Sequence, residues 1–189
     1  VTNREWLKPW EATSPLAPRR FDVKAQIRGL LRSLDDETGI PFVIQKSGEI
    51  VGQLNVANIV FGSVSSAVVG YWVAPEFAGK GITPTAVALV TDYLFNVTGL
   101  HRVEIDIRPE NVASIRVVEK LGFRHEGLKE RYIHINGAWR DHFVFALTHE
   151  EVPGGVLNRW IQNLVPKLNY PKNVTQIKHT ELNDEQQGS

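Results

Sequence analysis

Hydrophobic residues follow two different spacings along the chain, and the spacing predicts the type of each element. Apolar residues three or four positions apart predict a helix over 21–34, which Gly39 and Pro41 would end. A short helix is also expected near Arg4–Trp10. Further segments with helical spacing are 84–96, 112–121 and 154–165.

Strands are predicted where apolar residues are β-branched or alternate with polar ones. Residues 41–61 indicate two strands around a Ser-Gly turn, and residues 65–73 indicate a third. Residues 101–109 alternate strictly, and 131–147 predict a hairpin that turns at an Asn-Gly pair. This order of strands and helices predicts the α+β (mixed α/β) class, with a sheet flanked by helices.

The chain length of 189 residues suits one domain, which we place at 1–165, followed by a polar tail at 166–189. Basic and acidic residues number 21 each, so no net field favours nucleic acid or an anionic membrane. The chain has no cysteine and no apolar run of the roughly 18 residues that a membrane span needs. We therefore expect a cytoplasmic protein without disulfides.

The segment AGKGITPTAVALV, residues 78–90, places two glycines around a lysine directly before a helix. Thr83 suits the N-cap position and Pro84 the first helical position. A strand, a glycine loop and a helix N-terminus together present unpaired N–H groups to a phosphate. The spacing matches neither the Walker loop nor the dinucleotide fingerprint. Alone, the loop is explained equally well as a plain left-handed turn into a capped helix.

A second motif, RPENVASIRVVEKLGF, spans residues 108–123. Asn111 would cap a helix, aliphatic residues at helical spacing would form its buried stripe, and Gly122 would end it. Alone, this motif is typical of an ordinary amphipathic helix.

Together, the two motifs resemble the GNAT family of acetyl-CoA-dependent N-acetyltransferases. PEFAGKGIT is similar to the family's phosphate loop, GYWV stands where its fourth strand is expected, and NVASIRVVEKLGF is similar to the helix that ends in L-G-F. Over about residues 4–160 the chain resembles the ribosomal-protein-alanine acetyltransferase group, through WLKPWEATSP, HRVEIDIRPEN and ERYIHINGAWRDHFVFAL. The resemblance implies a twisted mixed sheet flanked by helices.

The chain departs from the family pattern at its start and in its loop. The family's first strand and first helix would precede Val1 and are expected to be absent from this chain. The chain also has no methionine, so we expect a fragment or a product that loses its first residues. Intact mass compared with the encoded product tests this. Glu76 stands where the family prefers Gln or Arg, but backbone amides do the binding there.

The resemblance implies acetyl-CoA as co-substrate and assigns residues to it. Trp72 and Val73 would pair with the pantetheine amides where their strand separates from Ile105–Ile107. Asn111 would bind pantetheine, and Ser114 would hydrogen-bond the leaving thiolate or relay a proton to it through water. The loop whose backbone amides would hold the pyrophosphate consists of Ala78, Gly79, Lys80, Gly81, Ile82 and Thr83.

No general base follows from the resemblance, because hydrophobic residues occupy the positions where the narrower group carries a glutamate. The sequence offers Glu104 as a substitute, since it shares one face of its strand with Asp106 and Arg108. Neighbouring carboxylates can raise the pKa of one of them, which suits a base. An ion pair with Arg108 at an exposed edge explains the same pattern equally well.

Three residues are candidates for contact with the acceptor. Trp10 and Glu11 lie where the narrower group has its acceptor-side loop, and His134 lies in the hairpin on that side. A core aromatic ring, a solvated carboxylate and a structural histidine explain them at least as well. The six histidines show no metal-binding spacing, so no metal is expected.

Three functions are open at this point, because a shared fold does not fix the acceptor. The one we expect is acetyl transfer to the α-amine of a protein N-terminus, in particular that of a ribosomal protein. The second is acetylation of a small amine such as an aminoglycoside, a polyamine or an amino acid. The third is a non-catalytic acyl-CoA-binding interaction module, which would fit the missing base and the missing first strand.

Overall fold

A computed structural model describes residues 3–16 and 22–166 of the chain. The helices are α1 (Arg4–Leu7), α2 (Val23–Asp35), α3 (Ile82–Asn96), α4 (Val112–Leu121) and α5 (Val156–Ile161). The strands are β1 (Ile40–Lys46), β2 (Glu49–Val60), β3 (Ser66–Val73), β4 (Arg102–Ile107), β5 (Arg124–Ile135) and β6 (Ala138–Thr148). Beyond Pro166, the predicted tail 166–189 lies outside the described residues.

One six-stranded sheet, in the order β1-β2-β3-β4-β6-β5, organises the described part of the chain. Neighbouring strands are antiparallel except β3 and β4, which are parallel. The predicted α+β class is therefore confirmed. Before β1, the described residues add to the sheet an isolated bridge from Ala12 to Ile135 and no further strand. No helix in the described ranges is long and apolar enough to cross a membrane.

The predicted start of α3 is wrong by two residues. The helix begins at Ile82 instead of Pro84, and its N-cap is Gly81 instead of Thr83. Gly81 adopts a left-handed conformation with φ of 78°, and its carbonyl oxygen accepts a hydrogen bond from the Thr85 N–H at 3.2 Å. The first helical turn therefore closes on the glycine itself.

The predicted start of β5 is also wrong, because the strand begins at Arg124 rather than at Arg131. Residues 124–130 are mostly charged and lack apolar alternation, yet they pair with β6. Helix α5 is shorter than predicted and covers six residues. The other predicted elements are present at nearly the expected positions.

Helices α3 and α4 cover one face of the sheet and place the hydrophobic core there. Val103, Ile105 and Ile107 of the central strand β4 point to this face, and each is at most 4% exposed. Burial of each such side chain stabilises the fold by about 1.5–3 kcal/mol. Because β3 and β4 are parallel and each leads into a helix, the N-termini of α3 and α4 lie at the same edge of the sheet.

The opposite face of β4, β5 and β6 carries a network of ion pairs. The Arg102 guanidinium donates to Glu104 at 2.8 Å and to Glu126 at 3.1 Å. The Arg124 guanidinium donates to Glu126 at 2.7 Å and also binds Glu151. These side chains extend across this face of the three strands, which explains why β5 has few apolar residues.

We expect the substitution Glu126→Gln to lower stability at neutral pH and to have a much smaller effect near pH 2. The guanidinium of Arg102, and next that of Arg124, lower the pKa of Glu126 from 4.5 to about 2. A carboxyl group whose pKa is lower in the folded state stabilises above its unfolded pKa, and this contribution is lost as pH falls through the folded pKa. Thermal unfolding between pH 7 and pH 2 measures it. Glu130→Gln on the same strand is the control, and a destabilisation by Glu126→Gln that stays constant across this pH range would contradict the ionic origin.

Helix α5 is attached to α3 through Asp92. Its carboxylate accepts hydrogen bonds from the backbone N–H groups of Val156 at 2.6 Å and Leu157 at 3.0 Å, at the start of α5. From α5, the Trp160 indole N–H donates to Thr85 Oγ1 at 3.1 Å. The last described helix therefore supports the first turn of α3 and the glycine loop in front of it.

Candidate active site

Strands β3 and β4 pair over three residues and then separate. The register joins Ser66–Val68 to Arg102–Glu104, whereas β3 continues to Val73 and β4 to Ile107. Beyond residue 68, the edge of β3 that faces β4 has no strand partner among the described residues. Its backbone groups can therefore pair with an extended ligand, as an added strand would.

Trp72 and Val73, the predicted pantetheine partners, lie on this part of β3. On the other edge of β3, these two residues are in register with Gln53 and Gly52 of β2. The carbonyl oxygen of Val73 also accepts a hydrogen bond from the Trp6 indole N–H at 3.1 Å. One of its two lone pairs is therefore in use, and one is left for a ligand.

The glycine loop carries five consecutive N–H groups, at residues 79–83, that donate no hydrogen bond within the described part of the chain. The Ala78 N–H, which the resemblance also predicts to bind the pyrophosphate, instead donates to the Pro75 carbonyl oxygen at 3.1 Å. Gly79 and Gly81 have φ of 74° and 78°, a left-handed conformation that glycine adopts without strain. Free N–H groups in front of a 15-residue helix are suited to hold an anion.

The two glycines of the loop carry no side chain and so leave open space in front of its amides. A Cβ built on Gly79 would meet no atom within 4 Å, and a Cβ on Gly81 would meet Trp160 at 3.8 Å. Lys80 lies between the two glycines, with its ammonium 5.8 Å from the Phe77 ring centroid. The loop thus leaves room for a phosphate beside its amides and places a cation next to them.

A cavity of about 150 Å³ lies where β3 and β4 separate. Ile105 and Ile107 in its wall point to the helical face, whereas Asp106 between them points to the opposite face. The cavity therefore connects the two faces of the sheet. Its polar and aromatic lining residues include Trp10, Tyr71, Asp106, Asn111, Ser114 and His142.

The N-terminus of α4 forms the helical side of this cavity. Asn111 caps the helix, because its Oδ1 accepts a hydrogen bond from the Ser114 N–H at 3.1 Å. The Tyr71 hydroxyl donates to the Ser114 carbonyl oxygen at 3.3 Å and so links β3 to α4. Burial raises the pKa of Tyr71, which keeps the phenol protonated. The predicted residues Asn111 and Ser114 are thus brought together at one wall.

Asp106 and His142 form the opposite side of the cavity. The Asp106 side chain is 4% exposed, and its Oδ1 accepts from Lys129 Nζ at 3.1 Å. Burial raises the pKa of Asp106, and the ammonium of Lys129 opposes that rise. His142 is 3% exposed, and burial lowers its pKa. In the sequence, Asp106 stands out only as a neighbour of Glu104, and nothing singles out His142.

Glu104, the predicted base, shares the face of Asp106 but does not line this cavity. It accepts from Arg102 at 2.8 Å and lies 3.6 Å from Lys129. The ion-pair partners of Glu104 are therefore Arg102 and Lys129, not Arg108, which the sequence offers as the alternative. Arg108 instead contacts Glu110 at 3.2 Å. Of the two carboxylates on this face, Asp106 is the one that reaches the cavity.

The segment around α1 bridges the ends of β3 and β4. Trp6 binds the end of β3, and the Arg108 guanidinium after β4 donates to the Pro9 carbonyl oxygen at 2.6 Å. The same guanidinium lies 5.4 Å from the Trp10 ring centroid. Trp10 thereby becomes part of the cavity wall. A ring in this position limits what can enter from the face opposite the helices.

Glu11 and His134 lie near this segment but do not line the cavity. Glu11 is partly exposed, and its N–H donates to the Leu7 carbonyl oxygen at 2.8 Å. His134 Nδ1 lies 2.7 Å from Thr13 Oγ1, and the His134 ring packs on Trp139. These contacts attach the segment to the β5–β6 hairpin. Within the described ranges, no group of three or more possible metal ligands is present.

Known proteins are similar to this chain in sequence and in fold. The structure of Mycobacterium smegmatis RimJ in complex with CoA-disulfide superposes with a TM-score of 0.80 and 38% identity, over 86% of this chain and 79% of that one. The [ribosomal protein uS5]-alanine N-acetyltransferase of Escherichia coli is 30% identical over 149 residues, 77% of each chain.

Of two further relatives, one is named for a polyamine acceptor and the other is named without an acceptor. The spermidine N(1)-acetyltransferase of Escherichia coli is 30% identical over 112 residues, 58% of this chain and 59% of that protein. A probable N-acetyltransferase of Bacillus subtilis, YjcK, is 36% identical over 117 residues, which is 62% of this chain. The chain spans 65% of the length of YjcK.

The family profile described as "Acetyltransferase (GNAT) domain" matches residues 1–124, which contain α1 to α4 and the first four strands. The free amides of the glycine loop and the separated strands fit acetyl-CoA, the acetyl donor of that family. The sheet, the loop and the sequence similarity agree, and the chain belongs to the GNAT acetyltransferase family.

Proposed function

We propose that this protein transfers the acetyl group of acetyl-CoA to the N-terminal α-amine of a protein, in particular a ribosomal protein. The observation that carries the proposal is the cavity that passes through the sheet where β3 and β4 separate. It connects the α4 side, next to the phosphate loop, with a wall built from the segment around α1. An acetyl donor and an amine can therefore meet there from opposite faces.

The donor would lie along the separated edge of β3. Trp72 and Val73 would pair with the pantetheine amides, the free N–H groups of residues 79–83 would hold the pyrophosphate, and Asn111 would bind pantetheine. The Ala78 N–H is excluded from this set because it already donates to Pro75. The five remaining amides, with Lys80 beside them, supply enough donors for two phosphates.

The acceptor would enter from the side of Trp10. A cavity of about 150 Å³ admits the end of a chain, with its amine and a small side chain, but not a folded surface. Glu11 and His134, outside the cavity, would contact the residues that follow the acceptor's amine. The relative named as a ribosomal protein uS5-alanine N-acetyltransferase supports this acceptor over a polyamine, because its alignment covers 77% of this chain, against 58% for the spermidine N(1)-acetyltransferase. Such an acceptor would place the reaction in the cytoplasm.

We expect Ser114→Ala to lower turnover about tenfold or more while acetyl-CoA affinity stays nearly the same. Ser114 lies at the wall shared with Asn111, where a thiolate would leave, and a hydroxyl there can donate to it. Pre-steady-state rates with acetyl-CoA saturating measure this, and binding by calorimetry controls for the cofactor. Ala113→Ser, one position earlier, is the matched control. Wild-type turnover of Ser114→Ala, with chemistry rate-limiting, would contradict the role.

The acceptor class is tested by thiol release from acetyl-CoA with three acceptors. These are a peptide with a free N-terminal alanine, the same peptide blocked at its N-terminus but containing lysine, and spermidine. Turnover confined to the first acceptor supports the proposal. Turnover confined to spermidine selects a small-amine enzyme, and acetyl-CoA binding without turnover selects a binding module.

A further inference from the structure

His142 is unusual among the buried residues of this protein. Within the described ranges, Thr91 and His142 are the polar residues that are buried as whole residues, whereas Asp106 is buried in its side chain alone. Thr91 is satisfied inside its own helix, where Oγ1 donates to the Val87 carbonyl oxygen at 2.8 Å. His142, in contrast, lines the cavity where donor and acceptor would meet. A buried imidazole at such a position calls for a chemical role.

One hydrogen bond fixes the tautomer of His142. Its Nδ1 lies 3.0 Å from the Arg140 carbonyl oxygen. A carbonyl oxygen can only accept, so Nδ1 carries the proton and donates it. In the neutral ring, Nε2 therefore holds a lone pair, and it has no hydrogen-bond partner in the described part of the chain. The ring is thus oriented as a proton acceptor.

The charged and titratable groups around His142 come from four strands, counting its own strand β6. Asp106 and Arg108, on β4 and just after it, raise and lower its pKa respectively, and Asp141 on its own strand raises it. From β5, Lys129 is in register with His142, and the Tyr132 ring centroid lies 6.1 Å away. From β3, Tyr71 lines the same cavity.

Burial is the largest influence on His142 and leaves its pKa below 6.5. The imidazole is therefore neutral at pH 7 and able to accept a proton.

The carboxylates on the same face are less suited to take a proton from an amine. Asp106 reaches the cavity, but its carboxylate is paired with Lys129 at 3.1 Å and 3.4 Å. Glu104 is paired with Arg102 and lies outside the lining. Asp106 and His142 are diagonal neighbours on β4 and β6, since Asp106 is in register with Val144, and such residues stand about 7–8 Å apart. The carboxylate can therefore stabilise a positive charge on the imidazole without replacing it as the base.

We propose that His142 is the general base of this site, taking a proton from the acceptor's amine through Nε2. The inference rests on the proposed acetyl transfer. The acceptor nitrogen loses one proton to Nε2 and forms a bond to the acetyl carbonyl carbon, while the carbon–sulfur bond of the thioester breaks. The thiolate takes a proton by way of Ser114 or water, and His142 returns its proton to solvent. The products are an N-acetylated amine and the free thiol.

The test compares His142→Gln, His142→Asn and His142→Ala with the wild type, and uses His125→Gln as a matched histidine control outside the cavity. His125 packs on the Phe143 and Phe145 rings, so its substitution reports a purely structural effect. Acetyl-CoA affinity and melting temperature are measured for each variant. Single-turnover rates are then followed from pH 5 to pH 9 with both substrates saturating.

We expect the wild-type rate to fall as pH drops through a pKa below 6.5, because protonated His142 cannot act as a base. His142→Gln and His142→Asn should lose about 100-fold at pH 7.5 and lack that acidic limb, with acetyl-CoA affinity unchanged. The acceptor's α-amine, with an ordinary pKa of about 8, gives a separate limb at higher pH that every variant should retain. Imidazole added to His142→Ala should restore rate in proportion to its unprotonated fraction.

An unchanged acidic limb in His142→Gln and His142→Asn, or a loss that imidazole does not restore, would overturn the inference. A wild-type enzyme that lacks the limb below pH 6.5 would also overturn the inference. The wild-type profile therefore tests the inference even if the variants do not fold. Failure of the proposed acceptor is distinguishable, because the wild type would then be inactive on N-terminal peptides. The same profiles would be recorded with whichever amine it acetylates.

Discussion

Replacing Gly81 by valine is expected to weaken acetyl-CoA binding at least about tenfold while the protein stays folded. Gly81 has φ of 78° and is the N-cap of α3, so its neighbouring amides face the place proposed for the pyrophosphate. A β-branched side chain strains this backbone conformation and fills the space in front of the amides. A Cβ at this position would contact the protein only at Trp160, 3.8 Å away, so the added side chain would not clash with the core. Both effects are therefore expected to act on the proposed anion site.

Gly62→Val is the matched control for this experiment. Gly62 has φ of 87°, a Cβ at this position would meet no atom within 4 Å, and the residue lies in the turn between β2 and β3. The substitution therefore imposes similar backbone strain without touching the loop. Calorimetric titration with acetyl-CoA and melting temperatures of both variants separate binding from stability. Equal affinity of folded Gly81→Val and wild type would contradict the loop's role.

Replacing Asp106 by asparagine is expected to lower turnover about tenfold and to move the acidic limb of the pH–rate profile to lower pH. Asp106 raises the pKa of His142, so removing its charge makes the imidazole less basic. The substitution also removes the carboxylate that Lys129 contacts at 3.1 Å and leaves this ammonium only Glu104 at 3.6 Å, so its positive charge disfavours a positive imidazole more strongly. Single-turnover rates between pH 5 and pH 9 measure both changes.

Glu104→Gln is the informative comparison, because Glu104 lies two residues earlier on the same face of β4. If Glu104 were the base, as the sequence predicts, this substitution would cost about 100-fold and remove the acidic limb. We expect a much smaller loss and an intact limb, since Glu104 binds Arg102 outside the cavity. A larger loss for Glu104→Gln than for Asp106→Asn would return the base to Glu104.

The strands and helices could be predicted from the sequence where one periodicity dominates locally. The strict alternation of β4 and the Asn-Gly turn between β5 and β6 are such cases. The first seven residues of β5 could not be predicted, because their charged side chains pair across strands with residues far away in sequence. The start of α3 was missed because a glycine without a capping side chain took the N-cap position.

The candidate site likewise contains residues that local motifs identify and residues that only the contacts between strands reveal. The loop and the Asn111–Ser114 turn are local motifs, so the sequence identifies them and the resemblance gives them roles. Alternation along β4 shows which residues share a face, but not that Asp106 rather than Glu104 reaches the opening. That depends on where β3 stops pairing with β4. His142 gave no signal, because both faces of β6 are buried from His142 to Leu147 and its partners come from other strands.

The proposed acceptor is tested most sharply by the position of the acetyl group on a peptide that offers two amines. The peptide carries a free N-terminal alanine and one internal lysine, and the product is fragmented in a mass spectrometer after reaction with acetyl-CoA. We expect acetylation of the α-amine, with the lysine left free, because the cavity admits a chain end beside Trp10. Acetylation of the lysine, or no peptide product from an enzyme that acetylates spermidine, would contradict the proposed function.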